Sequence, residues 1–427
     1  MPKPVEKWLV PLLVTLHAFV AVPLAYSLNI WADEASTLFT TANGVRVAFS
    51  NLFTDEKQAP LYFLLLSIWR SVDQSIFFAR LFSVICSLLA IVVFYRLAGK
   101  IWDKRNALTV TALFAFHPYL FWASLEIRLY SLVILLTCLL FAFFIDGFVG
   151  DEVESNRTDQ KRVRSQILFA ITASAGLYTN YYLGFPIGGG FAALLILRKW
   201  GAAKRYFLLM LAVGVSILPL FYFISLQFAD RTATFQEAKS IAEGVRIIWN
   251  HFLTFALPTE IYTPEDQSIY STLRLWIVRL AMVGAIIILI KNKGRELDKP
   301  SIAFAAISAI SAAFLLFVYF QLGSGYVEIR HAAVYFVSIY VVVCAIAIKL
   351  IPEKVRTVAL LIVLSSYGYS LATLYPNNIK TGDWENVSTY LSANENPGQP
   401  IVVFPAYEVI ALPPYYKGVN KLLPDEK

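Results

Sequence analysis

Long apolar runs separated by short polar connections dominate the pattern of this 427-residue chain. A helix needs about 20 apolar residues to cross the hydrocarbon core of a bilayer. The runs predict an all-α polytopic membrane protein with about eleven transmembrane helices, of which the third, fifth and sixth are short. The predicted spans cover residues 8–28, 76–98, 106–121, 129–149, 166–182, 184–198, 206–228, 272–290, 301–321, 332–350 and 357–375.

The composition agrees with a membrane protein and excludes a nucleic-acid-binding one. Hydrophobic residues make up 58% of the chain and charged residues 15%, whereas soluble proteins average about 45–50% and about 25%. The formal net charge of +7 comes from basic residues that are scattered over short connections and form no stripe. Cys86, Cys138 and Cys344 each lie inside an apolar run, which is typical of small buried hydrophobic residues.

The basic residues also predict the orientation of the chain. Alternate connections carry dense clusters of Lys and Arg, and such connections face the cytoplasm. This rule places the N-terminus inside and the C-terminus outside. The first apolar run is longer than the about 7–15 residues of a signal-peptide core, so we expect an uncleaved first span.

Two loops and the C-terminal segment on the predicted outer side are long enough to carry chemistry. The loops cover about residues 29–75 and 229–271, and both contain apolar residues at helical spacing. This spacing predicts helices that lie in the membrane interface or pack against the spans. Residues 376–427 predict a small extracytoplasmic α/β appendage. We therefore divide the chain into a transmembrane module, residues 1–375, and this C-terminal segment.

Adjacent carboxylates, Asp33 and Glu34, follow the first span almost at once. Such a pair also suits the first turn of a helix and needs no further role there. Further polar groups fall near span ends on the same side, where ionisable groups line an aqueous cavity or pair with one another. Glu126–Arg128 and Glu328–Arg330 could form such structural pairs. The candidate cavity residues are Gln58, Tyr62, His117, Glu126, Arg128, Tyr130, Asn180, Tyr181, Glu328, Arg330 and His331.

These residue types suit group transfer from a phosphate-linked donor. A carboxylate can act as a general base, and the planar guanidinium of arginine binds phosphate. The sequence has no P-loop, no GxGxxG motif and no DxD pair for a nucleotide sugar. A lipid phosphate, by contrast, could reach an outer cavity sideways from the bilayer. Asp33 and Glu34 could also hold a divalent metal ion, although no third ligand is evident.

Four short motifs follow one another in a characteristic order. They are Asp33-Glu34, Ala59-Pro60-Leu61-Tyr62, Ala79-Arg80-Leu81 and Arg128-Leu129-Tyr130-Ser131-Leu132. In this order they resemble the protein mannosyltransferase-like superfamily of C-type (GT-C) glycosyltransferases. That superfamily includes dolichyl-phosphate-mannose protein mannosyltransferases and the bacterial aminoarabinose transferase of lipid A. The tail from Gly382 to Leu391 resembles that of bacterial members, which favours a bacterial host and its plasma (inner) membrane.

The resemblance implies that Asp33 is the catalytic base, with Glu34 beside it. It also implies a polyprenyl-phosphate sugar donor and inversion at the anomeric carbon. In this hypothesis Arg330 or Arg128 stabilises the leaving phosphate, with Lys57 or a divalent ion as further candidates. One position departs from the pattern, because many relatives place a histidine two residues before the proline of the second motif, or a lysine near it. Gln58 stands in that position here.

A flippase or transporter of lipid-linked saccharides is the main alternative. A transporter would favour functional ionisable residues near the bilayer midplane and a repeat relation between the two halves, and the sequence shows neither. A non-catalytic assembly subunit is a further alternative. The identity of the sugar, and whether the acceptor is a glycan, a lipid or a protein, stay open at the level of sequence.

Overall fold

The computed structural model of the chain is almost entirely helical. It describes residues 6–56, 58–150, 156–231, 240–258, 269–291, 297–351, 353–380 and 382–424. Two-residue strands, β1 (Ile401–Val402) and β2 (Leu422–Leu423), form a parallel pair. The α-helices of the described residues are α1 (Glu6–Ser27), α2 (Ala32–Thr41), α3 (Val45–Asn51), α4 (Leu61–Arg70), α5 (Ile76–Ala98), α6 (Lys104–Ala115), α7 (Pro118–Ser124), α8 (Tyr130–Phe144), α9 (Asn156–Thr179), α10 (Gly184–Ile196), α11 (Trp200–Ser216), α12 (Leu220–Arg231), α13 (Ile241–Ala256), α14 (Ile269–Lys291), α15 (Lys299–Leu322), α16 (Ala333–Leu350), α17 (Glu353–Leu374) and α18 (Trp384–Asn394).

Among the described residues, 6 helices are long and apolar enough to cross a bilayer, so the chain is a multi-pass membrane protein. A further pair, α6 and α7, qualifies as a broken span that is bent by 53°. With this pair the described residues contain up to 7 candidate spans. The predicted count of eleven spans is therefore not confirmed. The six helices cover Trp8–Ser27, Ile76–Ala98, Tyr130–Val149, Lys299–Leu322, Ser324–Lys349 and Val355–Leu374.

The predicted and observed helices differ where prolines interrupt apolar runs. The predicted span 206–228 is divided between α11 and α12, because Pro219 offers no N–H and disfavours a helical residue before it. The predicted span 106–121 is divided at Pro118 in the same way. The sixth predicted span corresponds to the shorter apolar segment Tyr181–Ile196. Average hydropathy does not register such interruptions.

Helix α8 lies at the centre of the bundle. Within its apolar window 78% of the residues are buried, against 17% for α1 and 11% for α17. It packs against α5, α9 and α16. A helix that is apolar on all sides belongs in the interior, whereas α1 and α17 lie at the periphery and expose their apolar side chains. The turn that precedes α8 is thereby fixed to the rigid core.

Consecutive glycines in α10 allow this helix to approach α15 closely. A methyl group added to Gly189 would lie 2.8 Å from the Cα atom of Ile307, whereas one on Gly188 would first meet the ring of Phe314 at 3.8 Å. We expect Gly189→Ala to lower the free energy of unfolding by about 1–3 kcal/mol, because backbone atoms cannot move aside. Gly188→Ala is the matched control and should raise it by about 0.5–1 kcal/mol, because alanine favours the helix and meets no close backbone atom. Unfolding in detergent measures both, and equal stabilities would contradict the close approach.

The first predicted outer loop folds into short helices, as its apolar spacing predicted. Helices α2 and α3 meet at Gly44, whose φ of 84° is rarely adopted by residues with a side chain. A π-helical turn, Leu52–Glu56, and α4 complete the loop. In the second loop, residues 232–239 and 259–268 lie outside the described residues. Its helix α13 packs against α15 and α16, so that one of its faces meets the spans.

The C-terminal segment is docked onto the first outer loop. Helix α18 is followed by β1, a 3₁₀ turn at Ala406–Ala411, and β2. The 3₁₀ turn packs against α2. The backbone N–H of Ile30 donates a hydrogen bond of 2.9 Å to the hydroxyl of Tyr415. The segment therefore contacts the helix that carries the acidic pair.

Candidate active site

Asp33 lies in the first turn of α2, where the helix dipole favours a carboxylate. Its Oδ2 atom is 2.6 Å from Nη1 of Arg330 and 4.0 Å from Nη2 of Arg128. The Asp33 side chain is 33% exposed. The structure therefore brings together three predicted site residues that are far apart in the sequence, and it leaves the carboxylate open to solvent.

Arg330 projects from a 3₁₀ turn, Ile329–Ala332, that precedes α16. Its Nε atom is 2.9 Å from Oε2 of Glu328, so the structural pair considered from the sequence is present. The guanidinium also lies over the ring of Trp31, 5.9 Å from its centroid. The side chain remains 22% exposed. These contacts orient an arginine whose planar fork fits carboxylate and phosphate oxygens alike.

Arg128 is buried and ties α2 to the turn before α8. Its Nη1 atom donates to Oε1 of Glu56 and to Oγ1 of Thr37, both at 2.8 Å, and to the carbonyl of Asp33 at 3.2 Å. Burial by itself lowers the pKa of Arg128, but the carboxylates of Glu56 and Asp33 raise it above its ordinary value. Arg128 is therefore a permanently charged clamp on the helix that carries Asp33.

The segment around the second sequence motif contributes one polar group near this clamp. Gln58 donates from Nε2 to Oε1 of Glu56 at 3.2 Å. Tyr62 is 1% exposed and packs edge-on against Phe63. The structure thus places Tyr62 in the apolar core, which corrects its predicted position in an aqueous cavity. Lys57 lies outside the described residues, and its predicted phosphate contact stays a prediction.

Glu34 occupies a buried ion cluster on the inner side of α2. Its Oε1 atom accepts from Nζ of Lys380 and from the backbone N–H of Ile127, both at 2.7 Å, and Oε2 lies 3.4 Å from Arg80. Burial alone would raise the pKa of Glu34, but the charges of Lys380 and Arg80 outweigh it and lower that pKa. The side chain is 0% exposed, so Glu34 has no access to the solvent that reaches Asp33.

Glu126 shares the cation of Lys380 with Glu34. Its Oε1 atom is 2.9 Å from Nζ of Lys380, and its Oε2 atom accepts from the indole N–H of Trp31 at 2.7 Å. Burial raises the pKa of Glu126, and the nearby charge of Glu34 adds to the increase although Lys380 opposes it. Glu126 therefore pairs with Lys380, and the sequence alternative of a Glu126–Arg128 pair is corrected.

His117 is a helix cap. Its Nδ1 atom accepts from the N–H of Tyr119 at 3.1 Å, which leaves its Nε2–H to donate to the carbonyl of Phe255 at 3.2 Å. The side chain is fully buried. Its predicted place in an aqueous cavity is therefore wrong, since both ring nitrogens satisfy backbone groups. Tyr130 is 5% exposed and stacks on Trp122.

The predicted cavity residues near α10 adjoin the loop that carries Arg330. Asn180 caps a short turn by accepting from the N–H of Tyr182 at 2.9 Å, and Tyr181 is half-buried beside it. The hydroxyl of Tyr182 donates to the carbonyl of Tyr326 at 2.9 Å. The ring of Tyr182 also lies 5.7 Å from that of His331. These residues lie beside the site, where Tyr182 contacts Tyr326 and His331 of the loop that carries Arg330.

Sequence reasoning missed three charged residues of this constellation. Arg80 belongs to the third sequence motif, Ala79-Arg80-Leu81, but nothing in that motif indicates that its side chain contacts Glu34 in the interior. Glu56 stands beside Lys57 in a polar stretch of the sequence, where one more carboxylate gives no signal of a contact with Arg128. Lys380 contacts Glu34 across 346 residues of sequence. A single basic residue in the segment after the last span gives no hint of such a contact.

The acidic pair does not fit a shared metal ion. Both oxygens of Glu34 are engaged by Lys380, Arg80 and the N–H of Ile127, while the carboxylate of Asp33 faces Arg330. The two carboxylates therefore have different partners, and no oxygen of Glu34 is left for a metal ion shared with Asp33. Among the described residues, no group of three or more His, Cys, Asp and Glu side chains is arranged to hold a metal ion.

Comparison with solved structures identifies the fold. The oligosaccharyltransferase of Archaeoglobus fulgidus, with a tethered acceptor peptide, matches 97% of this chain and 64% of its own at 13% identity and a TM-score of 0.53. The same enzyme, AglB, in complex with an inhibitory peptide and a dolichol-phosphate gives 13% identity and 0.50 over 98% and 65%. ArnT from Cupriavidus metallidurans, bound to undecaprenyl phosphate, gives 12% identity and 0.45 over 96% and 85%.

The neighbours with TM-scores of 0.50 and 0.53 are C-type glycosyltransferases, and the helical membrane fold of this chain is consistent with theirs. The predicted eleven spans and the C-terminal appendage are not confirmed by this comparison. The present chain spans less than two thirds of the length of the oligosaccharyltransferase. No protein-family model matches the sequence, and no curated protein matches it either.

Proposed function

We propose that this chain is a glycosyltransferase that moves a sugar from a polyprenyl-phosphate donor to an acceptor hydroxyl. The observation that carries the proposal is the ion pair between Asp33 and Arg330, which joins an accessible carboxylate to a phosphate-binding group at a distance of 2.6 Å. The fold is the one found in AglB, which was solved with a dolichol-phosphate. The enzyme is then a hexosyl or pentosyl transferase that depends on a lipid-linked donor.

Arrival of the donor activates the base in this mechanism. The guanidinium fork of Arg330 fits carboxylate and phosphate oxygens alike. A donor phosphate therefore competes with Asp33 for Arg330. This exchange frees Oδ2 of Asp33 when a donor is present. Glu328, which also contacts Arg330, keeps the arginine oriented during the exchange.

The transfer itself is a single displacement. The acceptor oxygen forms a bond to the anomeric carbon while Asp33 takes the hydroxyl proton, which contributes about 10²–10⁴-fold to the rate. The bond between that carbon and the phosphate oxygen breaks, and its electron pair leaves with the polyprenyl phosphate. Arg330 stabilises the charge that develops on this leaving group. One direct displacement inverts the configuration at the anomeric carbon.

Glu34 and Arg128 support the reacting groups in this proposal. Glu34 is fully buried and satisfied by three protein donors, so we assign it to holding α2 in place and leave the base role to Asp33. Arg128 donates to three protein acceptors, and its predicted contact with the phosphate would require it to release one of them. Arg330 is therefore our first choice for the phosphate contact.

We further propose a location in a bacterial plasma (inner) membrane. The distribution of Lys and Arg supports a cytoplasmic N-terminus, with the site and the C-terminus on the extracytoplasmic side. A lipid-linked donor would reach the site from the surrounding membrane lipids. The acceptor is a glycan, a lipid or a protein; the oligosaccharyltransferase neighbour was solved with an acceptor peptide.

Covalent transfer in detergent tests the proposal. Purified protein is incubated with radiolabelled undecaprenyl-phosphate hexoses and pentoses, one at a time, together with lipid, glycan and protein fractions of bacterial membranes. We expect label to pass from one donor to one acceptor fraction. Movement of labelled donor across sealed vesicles without any covalent product in detergent would instead establish the flippase alternative.

Arg330→Gln should weaken donor binding. Loss of one charge-assisted hydrogen bond costs about 1.5–3 kcal/mol, which corresponds to an increase of about 10–100-fold in KM for the donor. The dissociation constant of undecaprenyl phosphate alone should rise in parallel. Arg105→Gln, at an exposed position on α6, is the matched control and should leave both constants unchanged. An unaltered KM in Arg330→Gln would remove Arg330 from the phosphate site.

A further inference from the structure

The ammonium group of Lys380 joins three separate parts of the molecule. Its Nζ atom contacts Oε1 of Glu34 at 2.7 Å, Oε1 of Glu126 at 2.9 Å and the carbonyl of Leu125 at 2.6 Å. These three acceptors match the three protons of an ammonium group. The side chain is 3% exposed, so water cannot replace the contacts. The C-terminal segment is thereby fixed to α2 and to the turn before α8.

The backbone around Lys380 is anchored as firmly as its side chain. Its N–H donates to Oδ1 of Asn29 at 2.7 Å, and Nδ2 of Asn29 donates to the carbonyl of Gly382 at 2.7 Å. Asn29 lies in the linker between α1 and α2. The segment after the last span therefore pairs with the linker that leads directly into Asp33.

The contacts of Lys380 lead to both sides of the proposed site. Glu34 is the sequence neighbour of Asp33, and Glu126 lies two residues before Arg128. Glu34 also accepts from the N–H of Ile127 at 2.7 Å, which closes a ring of contacts around Lys380. Movement of this lysine would therefore shift the base and its arginine clamp relative to each other.

The cluster is balanced in charge only when Lys380 is present. Two carboxylates, Glu34 and Glu126, face two cations, Arg80 and Lys380. The indole N–H of Trp31 donates to the second oxygen of Glu126. A buried charge that loses its partner is strongly destabilising. The phenol groups nearest the cluster stay neutral across the physiological pH range; they belong to Tyr62, Tyr375 and Tyr415.

We infer that Lys380 is a positioning residue for sugar transfer and that the C-terminal segment is an integral part of the active site. This inference rests on the proposed function. Lys380 neutralises Glu34 and Glu126 and thereby keeps their neighbours Asp33 and Arg128 at a fixed distance from each other. A misplacement of about 1 Å at a reacting centre costs up to about 100-fold in rate, so loss of Lys380 acts on kcat through geometry while Arg330 still binds the donor phosphate.

The charge balance predicts a change in the pH profile that loss of packing alone would not produce. Without Lys380 the cluster carries one excess negative charge, which raises the pKa of Glu126 further. Protonation of Glu126 then restores neutrality, so activity should recover as the pH falls. Glu126→Gln leaves one excess positive charge, but Lys380 keeps its contacts with Glu34 and the carbonyl of Leu125, so kcat should fall less than in Lys380→Met.

The experiment compares kcat, donor KM and pH profiles of purified full-length variants in detergent. At about pH 7.5 we expect Lys380→Met to lower kcat by about 10–100-fold, with the donor KM changed by less than about twofold. Its optimum should move to lower pH. The double variant Lys380→Met/Glu126→Gln should regain most of the lost kcat and show no acid shift. Lys417→Met, at an exposed position in the same segment, is the matched control and should behave like the wild type.

The outcomes separate this inference from the proposed function. If the wild type transfers no sugar, the proposed function fails and the positioning role fails with it. If the wild type is active and Lys380→Met keeps its kcat, or if its pH optimum does not move, the positioning role alone is overturned. If Lys380→Met yields no folded protein, the milder Glu126→Gln decides, and a wild-type kcat in that variant overturns the inference.

Discussion

Replacement of Asp33 by Asn is expected to lower kcat for sugar transfer by at least about 100-fold, the smallest factor typical of a lost general base. The amide has nearly the same size as the carboxylate but cannot take a proton from the acceptor. Loss of the partly exposed pair with Arg330 should cost only about 0–1 kcal/mol of stability. Transfer from the active undecaprenyl-phosphate donor measures the rate, and unfolding in detergent measures stability.

A matched control for this substitution is Asp146→Asn. Asp146 forms an exposed ion pair with Lys100 at 2.7 Å, away from the proposed site, and its replacement should leave kcat unchanged. Comparison of the two variants thus distinguishes the effect on kcat of losing an ion pair from the effect of losing the base. Wild-type turnover by Asp33→Asn would remove Asp33 from the base role and with it the mechanism proposed above.

Arg80→Met is expected to produce the largest loss of stability among single substitutions at the site. The Nη1 atom of Arg80 donates to the carbonyls of Ala25 and Leu28 at 2.9 and 2.8 Å, and Nη2 donates to the carbonyl of Asn29 at 3.0 Å. These carbonyls belong to the end of α1 and the residues that follow it, and otherwise lack helical partners. Removal of the guanidinium also leaves Glu34 with one cation fewer. Breaking such a buried pair costs about 3–5 kcal/mol.

Unfolding of detergent-solubilised protein measures this loss. Arg80→Lys should restore little, because one ammonium group cannot reach the acceptors that a planar fork spans. Arg96→Met provides the control, since Arg96 lies on the same helix but is exposed, and should change stability by less than about 0.5 kcal/mol. Equal stability of the Arg80 and Arg96 variants would show that the end of α1 needs no such cap.

The coarse arrangement of the site was predictable because hydropathy and charge bias determine which segments share a membrane side. This reasoning placed residues 33, 128 and 330 on one side, and the structure brings their side chains within 4.0 Å of a shared carboxylate oxygen. The same reasoning could not separate the roles of Asp33 and Glu34. Successive residues at a helix start point in different directions, and only the packing of α2 decides which one is buried.

The remaining errors arise from contacts that leave no local pattern. His117 precedes a proline at the start of a helix, and this position is a sequence signal for a capping side chain. The partnership of Glu34 with Lys380 had no such signal, because it joins residues at opposite ends of the chain. The predicted count of eleven spans is not confirmed by the described residues, and hydropathy does not register where Pro118 and Pro219 interrupt apolar runs.

The distance in sequence between Glu34 and Lys380 has a consequence for biosynthesis. Arg80 leaves the ribosome 46 residues after Glu34, whereas Lys380 follows after 346 residues. At about 5–20 residues per second, the ribosome needs about 17–70 s to synthesise the 346 residues from Glu34 to Lys380. During this time Glu34 of α2 has Arg80 but not Lys380 as a partner in the nascent chain. If Lys380 positions the proposed site as inferred above, sugar transfer by a nascent chain stays slow until this lysine has been synthesised.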